Sequence, residues 1–449
     1  MNEQGALWTA DQVLARAPDD ASRRAGSKLG TAGPWSGAGS GGEGAVWGLC
    51  KGSGSTPYRT VVDTTGPAYH CSCPSRKFPC KHALGLLLLW AGGGVPAGPD
   101  AGGVPDWAEK WLAGRRDRAE TARTAAESGP ADPEAARRRA ERRAARISAG
   151  ARELEQRLAD LLRGGLAGAE RSGPALWEET AARMVDAQAP GLAGRVRELG
   201  AIAGSGPGWP VRLLEECALT HLLDRAWLSA ERLPGPLAAT VRTRVGLTAP
   251  PDGPALRDRW LVLAQYDAAD TRLTTRRIWL HGESSGRTAL LLAFGAAGRA
   301  PQLAFPVGAV LDAELRPYEG GGGLRAELVE QFGVPAPSGP PPRGGPVGAA
   351  LSAYGLALRD DPWLDSWPAT LTDVVPARAE YGWQVADAWG AEREAVPLTR
   401  AAQSRPGLWR LVALSGGAPL TVFGECGHQG FTPLAAWSPD APGETVPLV

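Results

Sequence analysis

Cys71, Ser72 and Cys73 are followed, after a six-residue gap, by Cys80, Lys81 and His82, and then directly by the apolar stretch Ala83 to Trp90. Three sulfurs and one imidazole within twelve positions are the number and type of ligands that one tetrahedral zinc takes. Tyr58 to Asp63 and Ala68 to Ser72 read as short strands separated by a turn at Thr64-Thr65-Gly66-Pro67. On an extended strand residues i and i+2 share a face, so Cys71 and Cys73 can aim at one point. His82 to Trp90 has the length and leucine content of a two-turn helix. Cys80 and His82 then stand at its N-terminal end, where unpaired N–H groups and the helix dipole favour a thiolate. The loop Pro74 to Pro79 has proline at each end, which lowers the entropy lost on closing the site. Three thiolates on a divalent ion leave one net negative charge, which Arg76, Lys77 and Lys81 can offset.

A disulfide would need an oxidising compartment. Met1 to Asp20 has no apolar leader core and carries Glu3, Asp11, Asp19 and Asp20. Ordinary buried thiols would not cluster with a histidine in step. All four positions of a tetrahedral shell are filled by protein, so one structural zinc on Cys71, Cys73, Cys80 and His82 is expected, with no open position for catalysis. His70 should face away from Cys71 on a strand and is set aside as a ligand.

This spacing, after a β-hairpin and before a helix, resembles the SWIM zinc finger as it occurs in bacterial proteins. The likeness is carried by Trp47-Gly48-Leu49-Cys50-Lys51-Gly52-Ser53-Gly54, Pro57-Tyr58, Val62-Asp63, the run Cys71 to His82, and Leu86 to Trp90. It covers about residues 44 to 90. Ala17-Pro18-Asp19 to Leu29 and the later helical and β-rich regions are similar to long bacterial members in a less diagnostic way. The resemblance implies zinc binding and a role in contacting DNA or proteins; it implies no reaction.

With 449 residues the chain is long enough for two or three domains with their own cores. Its 48 basic and 48 acidic side chains cancel, so any contact with nucleic acid has to be local rather than a general coating. Such a local surface exists between Lys51 and His82, where Lys51, Arg59, Arg76, Lys77 and Lys81 are opposed only by Asp63. No apolar run approaches the roughly 20 residues that a membrane-spanning helix needs. A cytoplasmic protein without membrane contact is expected.

Thr9 and Gln12 form a capping box before Val13 and Leu14, and Asp19 or Asp20 can cap a second helix through Leu29. Gly30 to Gly44 reads as a flexible Gly/Ser-rich insertion. Its Gly37-x-Gly39-x-x-Gly42 lacks the preceding strand and following helix of a dinucleotide fingerprint. Ala91 to Pro105 reads as a linker. From Trp107 to about Leu247 the pattern is helical, with Trp107 to Arg123, Pro133 to Leu162, Leu176 to Val185, Leu192 to Ile202 and Val211 to Leu228 as segments. Arg137, Arg138, Arg139, Arg142, Arg143 and Arg146 form the sharpest positive run. Glu134, Glu141 and Glu153 lie nearby and no aromatic residue interleaves, so the run reads as a solvated face rather than a phosphate-contacting one.

From about Leu256 the period changes. Trp260 to Asp267, Thr275 to His281 and Thr288 to Phe294 look like one antiparallel meander, and Leu408 to Ser415, Leu420 to Glu425 and Phe431 to Trp437 like another. Pro335 to Pro346 reads as a loop, and the tryptophans of this half, including Trp363, Trp367, Trp383 and Trp389, as core or sheet-face residues. The expected class is α+β multidomain. Residues 1–92 hold a small zinc-stapled β-hairpin/helix finger with its core at 44–90, residues 105–250 form a helical middle region, and residues 255–449 form an antiparallel β-rich C-terminal region.

Gly282-Glu283-Ser284-Ser285-Gly286 fits the Gly-x-Ser-x-Gly pattern of serine hydrolases. A nucleophile elbow needs a helix after the turn, whereas Arg287 to Leu292 reads as a second strand, so hydrolysis at Ser284 is a remote alternative. Cys426-Gly427-His428 copies half a zinc site, while Cys50 and Cys217 stand alone. No Gly-Lys-Ser/Thr loop or His-Glu-x-x-His is present. The functional expectation is a non-enzymatic zinc-binding adaptor that docks an unidentified protein through Lys51, Arg59, Arg76, Lys77, Phe78 and Lys81. The alternative is DNA or RNA binding by the same surface, with Phe78 stacking on bases.

Overall fold

The computed structural model of the protein describes residues 8–449 except 9, 15, 18–19, 42–43, 53, 65–67, 76, 78, 98–102, 129–131, 248, 252, 270–272, 297–300, 302, 337–339 and 391–392. Two short helices, α1 (Ala10–Leu14) and α2 (Asp20–Ser27), precede strands β1 (Trp35–Ser40), β2 (Ala45–Cys50), β3 (Tyr58–Asp63) and β4 (Ala68–Cys71). The strands form one antiparallel sheet in sequence order. Helix α3 (Lys81–Ala91) and the longer α4 (Asp106–Ser128) follow.

The sheet is buried on both faces, and its register shows why. Val46, Val62 and Tyr69 lie side by side across β2, β3 and β4 and pack on the leucines of α3. Their neighbours Trp47 and Val61 belong to the opposite face, where Ala108, Trp107 and Trp111 of α4 cover them. Helix α3 is apolar nearly all round because the sheet lies on one side and α1 and α2 on the other. Glycine permits that closeness: a Cβ on Gly26 would meet Leu84 Cβ at 2.7 Å, and one on Gly85 would meet Leu29 Cβ at 2.5 Å.

Three expectations change here. Gly30 to Gly44 is not simply an insertion, because Trp35–Ser40 is the edge strand β1. Its glycines make room for a neighbour, since a Cβ on Gly39 would stand 2.7 Å from the Trp47 ring. The finger is therefore a four-stranded sheet with a helix, larger than a lone hairpin. The segment after α3 is also strapped down: Ser40 N–H donates to the Pro96 carbonyl at 2.8 Å, and Val95 is buried.

The helical region comprises α5 (Pro133–Gly164), α6 (Ala167–Asp186), α7 (Pro190–Ile202), α8 (Trp209–Leu228) and α9 (Gly235–Val245). Helix α9 was not singled out by the sequence pattern. Asp132 caps α5 by accepting from Ala135 N–H at 2.9 Å, with Pro133 in the first turn. Ile147, Ala151, Leu154 and Leu158 supply its buried stripe. In the arginine run, Arg138 pairs with Glu134 at 3.0 Å and Arg137 with Glu141 at 3.5 Å, while Arg143 donates to the Gly246 carbonyl. Glu153 pairs instead with Arg157 and Arg183.

The C-terminal half contains a closed barrel and a sheet. The barrel is made of β5 (Leu256–Ala269), β6 (Leu273–Gly282), β7 (Thr288–Ala296), β8 (Val310–Pro317) and β9 (Arg325–Ala336), ordered β5-β6-β7-β9-β8. Its pairs are antiparallel except β7 with β9. Then come α10 (Val347–Leu358), β10 (Ser366–Ala379), β11 (Gly382–Asp387), β12 (Ala395–Pro397), α11 (Arg400–Gln403), α12 (Gly407–Ser415), β13 (Leu420–Gly427), β14 (Gly430–Trp437) and β15 (Val446–Pro447). The strands assemble as β12-β11-β10-β13-β14-β15.

Leu408 to Ser415, expected as a strand, is helix α12. Its buried residues Gly407, Leu408, Leu411 and Ser415 recur at helical spacing, and Gly416 at φ +52° ends it. Trp363 is buried as expected, but Trp389 is 66 % exposed. Glu425 joins sheet to barrel by accepting from Tyr266 O–H at 2.8 Å and Trp279 N–H at 2.9 Å. Arg244 and Asp361 pair at 2.6 Å between α9 and the segment after α10. No described helix is long and apolar enough to cross a membrane.

Candidate metal centre

Each ligand is positioned by a local feature. Cys71 ends β4, Cys73 lies in the bend just beyond it, Cys80 is the N-cap of α3 and His82 is in its first turn. The three sulfurs and a ring nitrogen of His82 all lie within 4.8 Å of one another. In a tetrahedron with zinc–sulfur bonds of about 2.3 Å and zinc–nitrogen bonds of about 2.0 Å, sulfur and nitrogen stand about 3.5 Å apart. Cys71 Sγ and His82 Nδ1 are separated by 3.7 Å. The donor set and its dimensions therefore fit one structural zinc.

The surroundings hold the ligands in place. Ala83 N–H donates to Cys80 Sγ at 3.5 Å, one of the free amides at the start of α3. Thr60, opposite Cys71 in the β3–β4 register, puts its hydroxyl 3.3 Å from Cys71 Sγ. The Tyr58 ring lies 4.8 Å from that of His82, tilted by 34°. Sequence reasoning missed Thr60 and Tyr58, although the β3–β4 pairing that places them was legible.

The four groups are electrostatically coupled. Hydrogen bonds from Cys71 and Cys80 hold the Cys73 thiol well below its usual range, whereas Cys80, which shares hydrogen bonds with Cys71 and Cys73 and is buried, is pushed far up. Burial opposes a charged His82, yet its hydrogen bonds and attraction to Cys71 and Cys73 prevail and carry it to about 9. Zinc needs thiolates and a neutral imidazole, so its binding expels protons from this cluster.

His70 is exposed and faces away, stacked 6.1 Å from Trp111. Of the expected docking residues, Lys51, Arg59, Lys77 and Lys81 are exposed. Arg76 and Phe78 lie outside the described residues. The position of α2 was not anticipated; its Ala21, Ser22 and Ala25 line the same concavity as Lys51, Lys81 and Cys73. Cys50 is not isolated either: burial, then the charge of Cys71, pushes its thiol up to about 11, although it is not a member of the ligand cluster.

The remaining motifs have other roles. Gly282 to Gly286 is the turn between paired antiparallel strands β6 and β7. Asp258 secures it, accepting from Ser284 N–H at 3.1 Å and Ser285 N–H at 2.8 Å. Cys426 is buried in β13, His428 Nδ1 lies 3.3 Å from the Tyr354 hydroxyl, and Cys217 is buried in the bundle core.

Residues 58–91 match the family model of the SWIM zinc finger, and residues 142–245 match that of the SWIM-associated four-helix bundle domain. The first match contains all four metal ligands; the second runs from within α5 to the end of α9. No curated protein and no solved structure matches the chain.

Proposed function

The chain is a SWIM zinc finger protein, and from that premise we propose that it is a cytoplasmic, non-enzymatic adaptor whose finger docks a protein partner. Zinc acts as a clasp. It ties the end of β4 to the start of α3, so metal-binding free energy becomes folding free energy for the finger. Four protein ligands complete a tetrahedral shell, which suits a structural role, and a reducing compartment suits the thiolates.

The observation that carries this reading is the placement of Lys51 and Lys81. Both are exposed beside the metal cluster, and neither side chain has a hydrogen-bond or ion-pair partner among the described residues. Exposed cations held by no hydrogen bond or ion pair are suited to an acidic partner surface. Exposed Arg59 and Lys77 on the same finger support a second reading, in which the finger binds DNA or RNA. The apolar concavity between the lysines favours protein.

Affinity capture from the native cell with the wild type and Cys80→Ser, followed by salt titration, separates the readings. A protein retained by the wild type and lost with Cys80→Ser is the expected result. Capture of DNA or RNA that weakens steeply with salt would establish the second reading instead.

A further inference from the structure

Beside the metal cluster, α2 and the ligand loop enclose a groove of about 540 Å³. Ala25 and Leu29 line it on the α2 side, Cys73 and Ser75 on the loop side, and Lys51 and Lys81 contribute two cations. None of the described lining residues is acidic. Lys81 is the first residue of α3, where a positive charge opposes the helix dipole. A carboxylate seated there would reverse that opposition. The metal ligands differ in exposure: Cys71, Cys80 and His82 are buried, while Cys73 is half-exposed and faces the groove.

We infer that this groove seats an acidic segment of a protein partner, with small apolar side chains against Ala25 and Leu29 and carboxylates on Lys51 and Lys81, and that the occupant covers Cys73. The inference rests on the docking function proposed above and adds the partner chemistry and a coupling to the metal. With zinc bound, the two lysines outweigh the single negative charge of the metal centre, so the groove still attracts an anion. Among the described lining residues the one aromatic side chain besides His82 is Tyr58, whose ring is already against His82 rather than free to stack on a base. Because the loop that zinc fixes forms one wall of the groove, the occupant prefers the zinc-bound finger, and partner and zinc each tighten binding of the other by the same factor.

The test uses the full zinc-loaded chain and three fluorescent probes: a short peptide of alternating glutamate and alanine, its lysine counterpart, and a thymidine oligonucleotide. The acidic peptide is expected to bind. Lys51→Glu combined with Lys81→Glu should weaken it by about tenfold or more, and Ala25→Trp, which fills the groove, should do the same. Zinc content and circular dichroism serve as the check that both variants fold. Saturating acidic peptide should also slow zinc transfer to a chelator and alkylation of Cys73 severalfold. No binding of the acidic peptide, or equal binding to both folded variants, overturns the groove inference while leaving docking elsewhere intact. Binding of the oligonucleotide without the acidic peptide overturns the docking function as well. Peptide binding with unchanged zinc transfer removes the coupling to Cys73.

Discussion

The Thr60 hydroxyl lies 3.3 Å from Cys71 Sγ, and Thr60 is fully buried. A buried hydroxyl at a ligand sulfur orients the ligand and tunes its charge, the role that groups behind a first ring of ligands play at metal sites. Thr60→Val keeps the shape and removes the hydrogen bond. Zinc affinity should fall about tenfold with the sheet intact, as read by competition with a chromogenic chelator and by circular dichroism.

Removing the metal should unfold part of the chain only. One zinc per chain is expected by elemental analysis, and Cys71→Ser or Cys80→Ser should abolish it. Hydrogen exchange should then rise across about residues 44 to 90 while the barrel strands β5 to β9, which have a separate core, stay protected. Equal protection of the finger with and without metal would contradict the clasp.

Asp224 is fully buried on α8, and neither of its carboxylate oxygens has a hydrogen-bond partner. Burial first, then the charge of Glu155, pushes its carboxyl from 3.8 up to about 8. The folded bundle thus keeps Asp224 protonated where the unfolded chain has already ionised it. Its contribution to stability is greatest in acid, declines as pH rises from about 4 to about 8, and is flat above, with a slope approaching about 1.4 kcal/mol per pH unit. Asp224→Asn should remove that slope. Urea unfolding of the two proteins across this range checks it.

Gly322 has φ +68°, and a Cβ there would stand 2.4 Å from the Trp367 ring. It belongs to Gly320–Gly323, where every residue has positive φ, between β8 and β9. Gly322→Ala combines backbone strain with a clash against an aromatic ring and should cost about 2 kcal/mol or more. A lower melting temperature and altered tryptophan fluorescence are the expected readouts; an unchanged melting temperature would show that the loop relaxes freely.

The finger was readable where its information is local. Cys71, Cys73, Cys80 and His82 lie within one short stretch, and strand alternation with a helix start suffices to converge them. The same reasoning recovered α5, α7 and α8, whose apolar stripes repeat over several turns. It failed at Trp35–Ser40, where glycines reflect the space needed by Trp47 across the sheet rather than a preference of their own segment. It failed again at α12, a short apolar run in which strand and helix differ only by which residues turn out to be buried.

Sequence by itself determined the ligand set, the start of α3 at Cys80 and the change from helical to strand periodicity, because each is written in neighbouring residues. Tertiary structure alone decided that Thr60 backs Cys71, that α2 and the ligand loop face each other across a groove, and that five strands close into a barrel. Those outcomes depend on register and on contacts between distant segments. Any one strand is compatible with many partners, and only the simultaneous burial of all of them selects one arrangement.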